Sequence, residues 1–165
     1  MATTRGCWSD LLTRAVVQRV RAASVEVDGA PAGSIGLGLV VLLGVGAKDT
    51  AIDGERLGAK IASLRIFDDG SGKLQHTVAD ASGAVLVVPQ FTLYGDVRRG
   101  RRPDFTAAAP PDIGRRLFDA FCGVLRANGL TVATGVFGAG MRVQIDADGP
   151  VTIVTSTDRW TEGEL

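Results

Sequence analysis

The stretch VVPQFTLYGDVRRGRRPDF, Val87 to Phe105, holds most of what could do chemistry in this chain of 165 residues. An apolar run meets Pro89 and leaves Gln90, Phe91 and Thr92 at its end. Arg98, Arg99, Arg101 and Arg102 then follow within five residues, in a chain whose formal net charge is +0. Guanidinium forks match phosphate oxygens, so nucleic acid is a natural partner for such a patch; a solvated loop is the plainer reading. The remaining inventory is sparse. His76 is the sole histidine and follows the turn DDGSG, so a serine or cysteine nucleophile has no convincing base. Cys7 and Cys122 can build neither a disulfide framework nor a zinc cluster, and no metal site is expected. Asp68 and Asp69 are neighbours in a turn, and Asp146 and Asp148 stand at the expected hairpin, just before Gly149-Pro150; solvated turn residues are the simpler account of both pairs. The glycines of GSIGLGLVVLLGVGAK fit neither the dinucleotide nor the phosphate-loop spacing.

A composition of 45% hydrophobic and 22% charged residues suits one compact domain with a substantial core. No stretch approaches the roughly 18 consecutive apolar residues of a membrane helix. The opening MATTRGCWSDLL lacks the apolar segment of a secretory signal and reads as a tail. Residues 1–13 are therefore expected to form an N-terminal extension, 14–158 the domain and 159–165 a C-terminal tail. Alternation and apolar runs predict strands at RAVVQRV (14–20), ASVEVDG (23–29), GLVVLLGV (38–45) and AVLVV (84–88). Further short strands are expected at TVATGVF, MRVQIDA and VTIVT. Leu57, Ile61 and Leu64 mark one helical face; Ile113, Leu117, Phe121 and Val124 mark a second, begun by PPD and stopped by Asn128-Gly129. The order β-β-β-α-β-α-β-β-β predicts an α+β domain, its largely antiparallel sheet curling into a barrel, with two main helices. DADGPVTIV, 146–154, reads as a hairpin at an exposed edge, where the proline blocks further pairing.

QRV (18–20), PQFTL (89–93), GVFGAGM (135–141) and DGPVT (148–152), in this order and spacing, resemble the D-aminoacyl-tRNA deacylase family, across about Arg14 to Thr155. The family's signatures are S-Q-F-T-L and N-x-G-P-x-T. The resemblance implies a cytoplasmic hydrolase that cleaves the ester of D-aminoacyl-tRNA, and of mischarged glycyl-tRNA, without cofactor, metal, DNA or membrane. It implies a homodimer in which Gly149-Pro150, joined by a cis peptide and held by Arg19, enters the partner's site as a chirality gate. By the same resemblance, amides near Gln90 and Phe91 stabilise the oxyanion, and Pro89 and Thr92 line the site. Phe137 and Met141 hold the terminal adenine, the four clustered arginines meet the tRNA, and its terminal 2′-hydroxyl assists catalysis.

Two positions depart from the pattern: Pro89 stands where the family has Ser, and Ala147 where it has Asn. A related animal-type branch that removes L-alanine from mischarged tRNA shares both departures, which leaves an L-alanyl or mixed specificity as the alternative. That branch has Ala in place of Phe91 and lacks the arginine matched by Arg19, so the D-specific reading is favoured. A non-catalytic RNA-binding module would rest on the arginines, but only Phe91, Tyr94 and Phe105 are near them as stacking partners. A small-molecule hydrolase would need a catalytic side-chain set that the sequence does not offer.

Overall fold

The computed structural model describes residues 13–157. The expectations for residues 1–12 and 158–165, Cys7 included, lie outside the described residues. Among the described residues eight strands and two α-helices follow one another: β1 (Arg14–Val27), β2 (Ala30–Ile35), β3 (Gly38–Gly44), α1 (Ala51–Ser63), β4 (Phe67–Asp68), β5 (Leu74–His76), β6 (Ala84–Pro89), α2 (Pro111–Ala127), β7 (Thr131–Thr134) and β8 (Arg142–Ser156). A 3-10 turn, Phe91–Tyr94, follows β6.

β1 organises the sheet. Along one edge its first half pairs with β3 and its second half with β2; along the other it pairs with β8, all antiparallel. β3–β6 and β6–β7 are parallel, so the sheet is mixed, more so than the alternation predicts. The curl nearly closes where β2 meets β7: a Cβ on Gly33 would lie 2.6 Å from the Thr134 carbonyl oxygen. β4 and β5 form a small separate hairpin that the sequence reading does not anticipate.

The unbroken apolar runs of β3 and β6 follow from burial on both faces. Leu39, Val41, Leu43, Val85 and Val87 face the two helices. Val40, Leu86 and Val88 alternate with them and fill the barrel interior with Val20 and Val25. In α1 the Asp53 carboxylate accepts from the Thr50 backbone N–H at 2.8 Å, a capping-box contact that fixes the start of the helix. α1 comes close to α2 at Gly58, where a Cβ would stand 2.8 Å from Val124 Cγ1. α2 starts at Pro111 and ends before Gly129, whose φ of 81° suits a residue without a side chain.

Three expectations need correction. The predicted strands 14–20 and 23–29 form one continuous β1 of 14 residues, because β3 and β2 occupy successive halves of the same edge. The buried face of α2 carries Gly114, Phe118, Phe121, Cys122 and Leu125, one position on from most of the predicted set, and leaves Ile113 exposed. Most important for the site, DGP is not the turn of a hairpin: β8 runs through it as one strand of 15 residues paired with β1 on both sides.

Candidate functional site

A cavity of about 640 Å³ opens at the carboxyl ends of β3 and β6, two parallel neighbours, beside the loop that follows β7. Leu43, Val88, Pro89, Gln90 and Phe91 form one side; Phe105 and the start of α2 form another; Phe137 and Met141 contribute from the third. Five of the expected site residues thus converge. Thr92 is not part of the lining, but its hydroxyl accepts a hydrogen bond from the Gln90 side-chain amide. Phe91 is 58% exposed and packs edge-on against Phe105, with ring centroids 5.2 Å apart.

The chain path explains how these groups are presented. Pro89 ends β6, and the Gln90 backbone N–H still donates to the Leu43 carbonyl at 2.8 Å, which makes that amide unavailable to a ligand. The backbone then tightens into the 3-10 turn, whose first N–H groups, those of Phe91 and Thr92, have no acceptor within it. Phe137 is seated by α2: Gly114 leaves room where a Cβ would lie 3.0 Å from Phe137 Cζ, and the Arg115 guanidinium lies 5.1 Å from the ring centroid. Arg115 Nη2 also donates to the Phe137 carbonyl at 3.2 Å. In the same loop the Met141 sulfur accepts from the Val136 N–H at 3.3 Å. Among the described residues no ionisable side chain lines the cavity, and no cluster of histidine, cysteine and acidic side chains could hold a metal.

Arg19, Gly149 and Pro150 come together elsewhere. Between the pairs Gln18–Thr152 and Val20–Ala147, Arg19 alone stands opposite the four residues 148–151, so this part of β8 bulges away from β1. The Gly149-Pro150 peptide is cis, both residues are exposed, and Gly149 has φ of 121°, a region that favours glycine. Arg19, 12% exposed, donates through Nε to the Asp148 carbonyl at 3.3 Å and through Nη1 to the Ile66 carbonyl at 2.8 Å. Its Nε also lies 3.1 Å from Asp148 Oδ2. Asp148, read from sequence as a solvated turn residue, is therefore an ion-pair partner; only the strand register reveals it.

The clustered arginines lie on the loop closed by the reciprocal backbone bonds of Asp96 and Asp104, 2.8 and 2.9 Å long, and all four are exposed. Arg98 forks onto Asp96, with Nε 2.9 and 3.0 Å from the two carboxylate oxygens. These hydrogen bonds hold the Asp96 carboxyl down at about 2. Arg98 also lines a second cavity, of about 310 Å³, with Arg14 and Tyr94. His76 is exposed on β5, whereas Cys122 is buried and its thiol is pushed up to about 11 by desolvation. Neither lines the large cavity.

The family model for D-Tyr-tRNA(Tyr) deacylase matches residues 16–156. The chain belongs to the D-Tyr-tRNA(Tyr) deacylase family. It is 56% identical to the D-aminoacyl-tRNA deacylase of Anaeromyxobacter dehalogenans over 146 residues, covering 88% of this chain and 98% of that one. It is 60% identical to the enzyme of the same name from Chloroflexus aurantiacus over 141 residues, 86% of this chain and 88% of its relative. Among solved structures, a protein described as c-Myc DNA Unwinding Element Binding Protein superposes with a TM-score of 0.80 at 42% identity, over 86% of this chain and 97% of the other. A probable eukaryotic D-amino acid tRNA deacylase has a TM-score of 0.76 at 20% identity, over 87% and 98%, which is a likeness of fold. Membership of the deacylase family agrees with the resemblance carried by PQFTL and DGPVT.

Proposed function

We propose that this chain is a D-aminoacyl-tRNA deacylase, which hydrolyses the ester between a D-amino acid and the terminal adenosine of tRNA. The observation that carries this reading, beside family membership, is a cavity formed by apolar side chains, backbone and the Gln90 amide, with no ionisable side chain among the described residues of its lining. Such a cavity can orient an ester and stabilise developing negative charge, but it cannot supply a conventional base. The substrate then contributes the missing group. The adenosine 2′-hydroxyl helps to activate water, which attacks the carbonyl carbon, and the oxyanion takes hydrogen bonds from the Phe91 and Thr92 amides. Collapse breaks the bond to the 3′-oxygen, which leaves as a hydroxyl once protonated. Free amino acid and tRNA are the products.

Phe137 and Met141 hold the adenine, and Pro89 and Thr92 border the aminoacyl end. The exposed Gly149-Pro150 bulge serves as the chirality gate of a second copy: in one protomer it is absent from the lining of the large cavity, and in this reading a partner brings it there. Among the described residues β8 pairs with β1 alone, and it carries Val154 79% exposed, which supports a partner along that strand. The loop arginines meet the tRNA backbone, and glycyl-tRNA passes the same gate because glycine has no side chain to reject. Such substrates place the enzyme in the cytoplasm.

Pro89 and Ala147 support a second reading, L-alanyl-tRNA editing or mixed specificity. Phe91 in the cavity and Arg19 on the bulge favour the D-specific one. The deciding experiment is hydrolysis of D-Ala-, Gly- and L-Ala-tRNA with a chelator present, repeated on tRNA ending in 2′-deoxyadenosine. Cleavage of D-Ala and Gly esters, lost with the 2′-hydroxyl and retained in Thr92→Ala and His76→Ala, is the expected outcome. Preference for L-Ala would assign the chain to the editing branch, and a thousandfold loss in either folded variant would refute catalysis by the RNA.

A further inference from the structure

β1 and β8 lose register twice in quick succession, once on each strand. Arg19 stands opposite the four-residue bulge of β8; two residues later, between the pairs Val20–Ala147 and Ala22–Asp146, Arg21 is the extra residue on β1. Residues two apart on a strand share a face. Both guanidinium groups reach Asp148, the first residue of the bulge: Arg19 Nε lies 3.1 Å from Oδ2, and Arg21 Nη2 lies 3.3 Å from Oδ1. Each carboxylate oxygen is thus held by a different arginine, from either side of the single rung Val20–Ala147. No ladder pair joins residues 148–151 to β1, so side-chain contacts must direct this segment. Ala147, just before it, brings no polar side chain. One arginine leaves the carboxylate free to swing about the contact; a second, from another direction, stops the swing.

We infer that Arg21 is a second positioning residue for the Gly149-Pro150 segment, acting through Asp148 to sharpen discrimination between D- and L-aminoacyl esters. The inference rests on the proposed gate. Arg19 is 12% exposed and also anchored on the Ile66 carbonyl, so it sets the place of the bulge. Arg21 is 71% exposed, so its attraction for Asp148 is screened by salt and trims the motion that remains.

The test compares the parent with Arg21→Ala and Arg21→Lys at low and high salt. One measurement is the ratio of kcat/KM for D-Ala- and L-Ala-tRNA; both substrates carry the same tRNA, so salt effects on its binding cancel. The other is hydrogen exchange of the Gly149 and Val151 amides, which needs no substrate. At low salt Arg21→Ala should retain D-Ala cleavage, lose about two- to fivefold in discrimination, as an exposed ion pair allows, and exchange faster. High salt should bring the parent to the variant's values, and Arg21→Lys should fall between the two. Unchanged exchange at low salt overturns the inference whatever the ratio does. Faster exchange with an unchanged ratio, in a parent that discriminates, overturns the role in specificity. A parent that does not discriminate refutes the gate itself, and exchange then decides alone whether Arg21 holds the bulge.

Discussion

Arginine is used in two different ways in this protein. Arg98, Arg99, Arg101 and Arg102 crowd an exposed loop, and Arg98 answers an aspartate two residues away. Arg19 and Arg21 are separated in sequence by about 130 residues from the carboxylate they hold. The first set is conspicuous in the sequence and lies outside the large cavity's lining; the second is inconspicuous and stands where β8 leaves its pairing with β1. Local density of charge identifies a surface. The charge that shapes a site is found through strand register, which brings a cation to the point where backbone pairing fails.

The strongest way to break this contrast is Arg19→Ala. Its removal leaves the Ile66 and Asp148 carbonyls without their donor, and we expect a loss of about 2 kcal/mol in urea unfolding, with discrimination between D- and L-Ala-tRNA falling at least tenfold. A variant as stable and as selective as the parent would show that the bulge holds itself. Next, Arg101→Ala with Arg102→Ala should leave unfolding within about 0.5 kcal/mol of the parent. The same pair should lower the slope of log affinity for tRNA against log salt by up to about two, as measured by filter binding. An unchanged slope would mark the loop as solvated surface.

Two carboxylates sharpen the contrast by pH. Asp49 is pushed up to about 6, first by desolvation, against hydrogen bonds from Thr13 and Gly46. The folded state therefore binds this proton more tightly than the unfolded one, whose value is near 3.8. Its contribution to stability falls as pH rises from about 4 to 6, and the penalty stays above that range. Asp49→Asn should flatten this slope, a change on the order of 1 kcal/mol in unfolding measured between pH 4 and 7. The smallest effect is expected of Asp96, whose lowered pKa gives stability that is retained above pH 4 and lost only between about 3.8 and 2. Asp96→Asn should lower the midpoint of thermal unfolding only slightly at pH 7, and the difference from the parent should vanish as the pH falls to about 2.

Much of the scaffold was legible because burial imposes a period. The runs at 38–45 and 84–88 are apolar on both faces and found their places, and Leu57 and Ile61 marked α1 correctly. β2, APAGSI, was missed because its pairing with β1 is made by backbone, with no alternating β-branched side chains to announce it. The bulge was missed for a related reason: Asp-Gly-Pro looks the same in a hairpin and in an interrupted strand, and only the partner strand distinguishes them. Pro89, Gln90, Phe91, Phe137 and Met141 could be chosen in advance because motifs carry them. Ala108, Ala109 and Gly114 complete the same cavity, yet they do so by being small, which leaves no chemical trace in a sequence.

The long ladder between β1 and β8 gives synthesis of this protein a timetable. Its rungs join residues from 116 positions apart, Glu26 and Arg142, to 142 apart, Arg14 and Ser156. A ribosome adding about 5–20 residues per second needs roughly 7–30 s to cover the longer span, so β1 leaves it long before its partner exists. Until then the edge of β1 that will meet β8 is open to pairing with other chains, a hazard that charged side chains along a strand reduce. Arg14, Arg19 and Arg21 stand on that waiting strand. A chain cut short before Thr152 lacks the rung beyond the bulge, so unfinished copies cannot close the loop that Arg19 holds.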